Sequence, residues 1–186
     1  MSERYLSDNS ADRRLGELWE ERFCAFADWY GKSWHAYQKD RGTAACWEKT
    51  GRKQLTPDIQ IFCAGGESHE VKHKNPTQAR GSCARRYGLE KYRLQHLTAF
   101  QRESQQAVFY TIHDWEAAGA RTSDASMPNV LQDWRIAHVI ELAADCRQRR
   151  PDDMWSWCRG EATKVPGYYW ATSLWVPLDV YWGLPY

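Results

Sequence analysis

The stretch Thr56-Pro57-Asp58-Ile59-Gln60-Ile61-Phe62-Cys63-Ala64-Gly65-Gly66-Glu67-Ser68-His69-Glu70-Val71-Lys72 decides how the chain is read. Ile59, Ile61 and Cys63 alternate with polar or aromatic neighbours, Gly65-Gly66 supplies a turn, and a second short strand follows through His69 to His73. This is the pattern of a β-hairpin. Side chains two apart on a strand share a face, so Glu70 and Lys72 point one way while His69, Val71 and His73 point the other. Asp58 enters the neighbouring strand from its exposed end and can lie beside Glu70. Two carboxylates and an ammonium converging at a sheet end suit a hard cation such as Mg²⁺, with the lysine left to hold a water or a phosphate.

The same residues contain a rival pattern. His69-Glu70-Val71-Lys72-His73 matches H-E-x-x-H, the zinc-protease signature, whose chemistry requires a helix to bring both histidines to one metal. Gly65-Gly66 lies just upstream, Asn75-Pro76 just downstream, and Val71 is the sole apolar residue inside the motif. No amphipathic helix can be drawn through it.

At 186 residues the chain reads most simply as one domain, long enough to bury roughly two-thirds of its unfolded surface. Hydrophobic content of 42% and charged content of 26% are those of an ordinary globular protein. Eleven Trp and ten Tyr are not ordinary; they imply large aromatic pieces in the core or stacking surfaces. The net charge of +1 announces no polyanion partner. The local distribution does: from Lys72 to Arg102 there are eight Lys or Arg against one acid, Glu90, a bias that favours a phosphate-contacting surface. The six cysteines form no C-x-x-C pair and nothing after Met1 resembles a signal peptide, so reduced thiols and a cytoplasmic location are expected. A zinc site from Cys46, Cys63 and Cys83 has no specific spacing behind it. No apolar run approaches membrane-spanning length.

Taken in order, residues 1–11 are polar. Asp12 can cap a helix running to about Tyr37, with Leu15, Trp19, Phe23, Phe26, Tyr30 and Trp34 as its buried stripe. A short first strand is expected near Ala44–Trp47. The segment His73 to Gly81 is a basic, turn-rich loop suited to DNA backbone contact. Leu89 to Glu103 reads as a second helix, and Ala107 to Ile112 as a buried strand. Beyond it, Gly119 to Met127 is a loop, Trp134 to Val139 a strand, and a short helix continues to about Gln148. Arg149 to Asp153 is a polar break. The tail through Tyr168, Tyr169, Trp170, Trp175, Tyr181 and Trp182 is aromatic, and its apolar surface must be covered by the core or by a second subunit.

Pro57-Asp58, eleven residues, then Glu70-Val71-Lys72 resembles the motif of the PD-(D/E)xK nuclease superfamily. Gly16-Glu17-Leu18-Trp19-Glu20 is similar to the G-x-x-x-E opening of archaeal Holliday-junction resolvases within it. Gln95-His96-Leu97 resembles the Gln-bearing helix that follows the E-x-K strand in those enzymes. The resemblance covers roughly residues 12 to 113. It implies an α/β fold with a restriction-endonuclease-like αβββαβ core, a central mixed sheet flanked by helices, with 114–186 as an aromatic-rich C-terminal extension. It further implies a Mg²⁺-dependent DNA endonuclease, with Mn²⁺ able to substitute. Asp58, Glu70, the Val71 carbonyl and Glu20 would hold the metal, with Glu17 or Glu21 as alternatives to Glu20. Lys72 would orient the attacking water, and Arg93 or Gln95 would touch the water or the scissile phosphate. Lys74, Arg80, Arg85, Arg86, Lys91 and Arg93 would bind DNA. Branch-cutting members work as homodimers, because two symmetric strands must be cut. The competing class is a non-catalytic nuclease-fold module that binds DNA or protein.

Overall fold

The computed structural model describes residues 3–37, 46–49, 52–74, 77–78, 85–114, 134–158 and 161–183. In chain order its elements are α1 (Glu3–Trp29), β1 (Ser33–Ala36), β2 (Cys46–Lys49), β3 (Arg52–Leu55), β4 (Ile59–Phe62), β5 (Glu67–Lys74), β6 (Thr77–Gln78) and β7 (Arg85–Glu90). Then come α2 (Lys91–Ser104), β8 (Ala107–Asp114), β9 (Trp134–His138), α3 (Val139–Asp145), β10 (Asp152–Cys158), β11 (Glu161–Ala171), β12 (Val176–Pro177) and α4 (Leu178–Tyr181).

A six-stranded mixed sheet runs in the order β1-β4-β5-β8-β9-β12. Among the described residues only β5 and β8 pair in parallel, and they are the pair separated in sequence by α2, as a parallel connection requires. Setting aside the β2–β3 and β6–β7 insertions, the order is helix, three antiparallel strands, helix, strand. This is the αβββαβ arrangement the resemblance implies, a mixed sheet flanked by helices.

Strand β8 shows how the two layers of core arise. Its residues are buried on both faces apart from the half-buried Ala107, which is why the sequence there is a continuous apolar run rather than an alternation. Val108, Tyr110 and Ile112 pack with Leu94, Leu97 and Phe100 of α2. Phe109 on the opposite face packs with Trp19, Phe23 and Phe26 of α1 and with Ile59, Ile61, Val71 and Trp134. Each such apolar side chain withdrawn from water contributes about 1.5–3 kcal/mol. Part of the unusual aromatic content fills these layers: Trp134, Trp170, Tyr87 and Tyr110 are among the largest fully buried side chains. From the C-terminal tail, Tyr168, Trp170 and Trp175 join the α2 layer, while Leu178 and Trp182 join the α1 layer.

Several expectations are corrected. The first helix ends at Trp29, not near Tyr37, because Gly31 takes a left-handed conformation (φ 64°) and turns the chain. Trp34 therefore belongs to β1, the sheet edge paired antiparallel with β4. The strand expected near Ala44–Trp47 is present as Cys46–Lys49, but it pairs only with β3 in a separate two-stranded sheet. Leu89 and Glu90 finish β7, and α2 starts at Lys91. Asp152 and Asp153 open β10 rather than closing a loop. Cys63 is exposed in the hairpin turn, so it does not continue the buried alternation of Ile59 and Ile61. The expected loop from Gly119 to Met127 lies outside the described residues. No helix is long and apolar enough to cross a membrane among the described residues.

Candidate metal centre on the hairpin

The hairpin forms as its sequence dictates. Gly65 (φ 94°) and Gly66 (φ 67°) occupy conformations that L side chains rarely adopt, and Ile59 pairs with His69 across an antiparallel ladder. Because β5 is a strand from Glu67 to Lys74, His69 and His73 lie about 13 Å apart at 3.3 Å per residue. They cannot share one zinc, and the zinc-protease reading is overturned. His69 is instead a buried structural histidine, with Nδ1 2.7 Å from Thr111 Oγ1 and Nε2 3.3 Å from Glu67 Oε1.

On the other side of β5 the charged residues converge. Glu70 is in register with Tyr110, so its side chain shares the face covered by α2. Glu70 is completely buried. Its Oε1 lies 2.6 Å from Lys72 Nζ and 2.8 Å from an Arg93 guanidinium nitrogen. Lys72 Nζ also donates to Asp58 Oδ2 at 3.1 Å and to the Val71 carbonyl at 3.0 Å. The Val71 amide donates to Asp58 Oδ2 at 2.9 Å, which fixes that carboxylate beside the strand. Asp58 itself is held in line by its own amide, which donates to the His69 carbonyl at 2.9 Å.

Electrostatics follow from burial and pairing together. Burial opposes the charged form of Lys72, but Asp58 and Glu70 outweigh it and raise the ammonium above its ordinary value. Arg93 behaves likewise, with Glu70 and then Asp58 overcoming its desolvation. Complete burial pushes the Glu70 carboxyl upward; Arg93 opposes it, Asp58 adds to it, and Lys72 opposes it, leaving the net shift upward. The phenol of Tyr110 beneath the site is raised well above its ordinary value, chiefly by burial.

Asp58, Glu70, Val71 and Lys72 are thus brought together as the sequence suggests. Glu20 sits on α1 and lines a cleft of about 420 Å³ with Glu17, Cys24, Trp34, Tyr37 and Ile59, the residue after Asp58. The Cys24 thiol, pushed up to about 12 by burial and then by Asp28, Glu20 and Glu21, marks which acids face that cleft. Among the described residues no three His, Cys, Asp or Glu side chains cluster as a metal cage. Gln95 is exposed and lines a different cleft, of about 240 Å³, with Lys91, Arg147 and Arg149. Arg93, two residues earlier, is the α2 residue that reaches the carboxylates, a function sequence reasoning assigned to phosphate rather than to Glu70. Arg86, near the start of β7, and Lys91, at the start of α2, are both half-buried. Lys74 and Arg85 have described backbones in β5 and β7, with side chains outside the described residues, and Arg80 lies wholly outside them.

The donor set fits a hard divalent cation. Two carboxylates and a backbone carbonyl converge, and Glu70 Oε2 is buried without a hydrogen-bond partner among the described residues. An orphaned carboxylate oxygen is costly unless a cation takes it up.

No protein-family model matches the chain, and no curated protein matches it. Among solved structures it is similar to a Holliday junction resolvase of Archaeoglobus fulgidus, an archaeal hyperthermophile. That likeness has 13% sequence identity and a TM-score of 0.49, covering 92% of this chain and 98% of the resolvase chain. It assigns nothing to individual residues.

Proposed function

We propose that this chain is a divalent-metal-dependent DNA endonuclease that hydrolyses phosphodiester bonds, with Mg²⁺ as cofactor and Mn²⁺ able to replace it. One observation carries the reading: Asp58, Glu70 and the Val71 carbonyl all come within 3.1 Å of a single cationic atom, Lys72 Nζ. The three groups therefore surround one cation-sized position at the end of the hairpin. In the PD-(D/E)xK pattern these are the groups that hold the metal.

Asp58, Glu70 and the Val71 carbonyl would bind the cation, which supplies charge neutralisation at the phosphate and activation of a water. Lys72 would orient the attacking water and stabilise developing negative charge. Arg93 holds Glu70 in place. Arg86, Lys91 and the basic residues Lys74, Arg80 and Arg85 would take the DNA backbone. The resemblance of the 16–20 and 95–97 segments to resolvases favours branched DNA as substrate and a homodimer as the working form. Glu20 remains the candidate further carboxylate for the cation, and Gln95 the candidate for contact with the water or the scissile phosphate.

The test is cleavage of a labelled panel comprising linear duplex, single strand, flap and four-way junction. Each is offered with Mg²⁺, Mn²⁺, Zn²⁺ or EDTA to the parent and to Glu70→Ala. Mg²⁺-dependent cutting that the variant lacks supports the reading, and the preferred substrate defines its class. If the parent binds the DNA panel but cuts none of it, a non-catalytic nuclease-fold module is the better description.

A further inference from the structure

The Lys72 ammonium donates to the Val71 carbonyl at 3.0 Å and to Asp58 Oδ2 at 3.1 Å, and forms an ion pair with Glu70 Oε1 at 2.6 Å. In this arrangement the ammonium is turned onto the protein's own oxygens rather than towards a water or a phosphate. The three oxygens also belong to the three groups that would bind the metal, so the lysine stands where the cation would stand. Two cations cannot occupy one position at such distances.

We propose that the site is an exchange site, in which the tethered ammonium of Lys72 fills the cation position of the metal-free protein and is displaced when a divalent ion binds. This rests on the metal-centre reading above. Displacement is what delivers Lys72 to the mouth of the site, where it can meet the substrate. Binding of the metal and arming of the lysine are then one event.

Three further observations support the exchange. The side chain of Lys72 keeps 28% exposure whereas Glu70 has none, so the lysine has a way out and the carboxylate does not. Arg93, 13% exposed, contacts Glu70 Oε1 independently and stays as its fixed counter-ion after Lys72 leaves. Glu70 Oε2 offers a buried, unpartnered oxygen to the incoming ion. Charge gives the exchange its direction. Asp58 and Glu70 are balanced by Lys72 and Arg93, so the resting cluster is neutral. Once the divalent ion has replaced Lys72 the cluster carries one net positive charge, which suits an approaching phosphate.

The probe is Mn²⁺ alone, without DNA, titrated calorimetrically into the parent, Lys72→Met and Lys72→Gln at neutral pH. The two variants shorten the side chain by one atom and remove the competing charge, and either one suffices if the other fails to fold. Affinity is expected to rise about tenfold or more on removing Lys72, a tenfold change being the effect of one modest ion pair. A crystal structure of the parent with Ca²⁺ is expected to show Nζ withdrawn from Asp58 and Glu70. Equal or weaker Mn²⁺ binding by the variants, or Nζ still on both carboxylates beside a bound ion, overturns the exchange while leaving the metal centre intact. Failure of parent and variants alike to bind Mn²⁺ overturns the metal-centre reading and the exchange with it.

Discussion

Arg93 tests how the charged cluster is built. Removing it leaves Glu70 buried with Lys72 as its remaining close counter-ion, and breaking a buried pair from one side costs about 3 kcal/mol or more. Arg93→Gln is therefore expected to lower the urea midpoint substantially. Glu70 also sets a pH dependence. Its carboxyl is shifted upward, so on acidification it takes up a proton earlier than an ordinary glutamate, and metal binding requires the ionised form. Mn²⁺ affinity should begin to fall above the ordinary carboxylate range of about 4.3, followed by calorimetry from neutral pH downward. The convergence of Asp58, Glu70 and Lys72 was legible because strand alternation and a Gly-Gly turn are local rules. The engagement of Arg93 was not, since the rotation of α2 about its axis relative to β5 is settled by Leu94, Leu97 and Phe100 entering the core.

The short C-terminal helix α4 is tied to the central sheet through one carboxylate. Tyr181 donates to Glu67 Oε2 at 3.0 Å and the Trp182 indole donates to Glu67 Oε1 at 2.9 Å. Burial alone would raise the Glu67 carboxyl, but His69, Trp182 and Tyr181 outweigh it and hold it below its ordinary value. A depressed folded-state value means the contribution is present above the unfolded value and is lost as pH falls through the folded one. Glu67→Gln is thus expected to cost about 1–3 kcal/mol at neutral pH, with the difference from the parent closing below roughly pH 4. Denaturant melts across that range would show it, and a constant gap would refute the linkage. In the four-stranded sheet β10-β11-β7-β6, Gly88 is enclosed: an added Cβ would lie 2.6 Å from Tyr169 Cε1 and 2.7 Å from Met154 Cε. Gly88→Ala should destabilise by about 1–3 kcal/mol through overpacking. This second sheet was illegible in the sequence, because β7 and β11 are far apart along the chain and their pairing from Glu90–Gly167 to Arg86–Ala171 follows no local rule. The end of α1 at Gly31 was signalled by the glycine itself, yet the apolar spacing of Tyr30 and Trp34 outweighed it.

Taken as a unit, the molecule places Glu70 and its partners Lys72 and Arg93 on the α2 side of the central sheet, with aromatic packing on both sides. Neutralising Arg86 and Lys91 together is expected to weaken DNA binding and to flatten its salt dependence by about 0.9 in log-log slope for each phosphate the protein no longer neutralises, with Mn²⁺ affinity unchanged. Loss of metal binding in that double variant would show that the two surfaces are not separable. The αβββαβ order was legible where the patterns are local, in β4, β5, α2 and β8, whereas the edge strand β1 reads as the end of α1 and the strand expected in its place belongs to the separate β2–β3 sheet. The decisive measurement is the single-turnover cutting rate on the best substrate of the DNA panel in Mg²⁺, comparing the parent with Asp58→Asn. A loss of about a thousandfold or more, roughly the effect of removing a group that stabilises the transition state, is expected with DNA affinity retained. An Asp58→Asn protein that cuts as fast as the parent would contradict the assignment of this site as the catalytic centre.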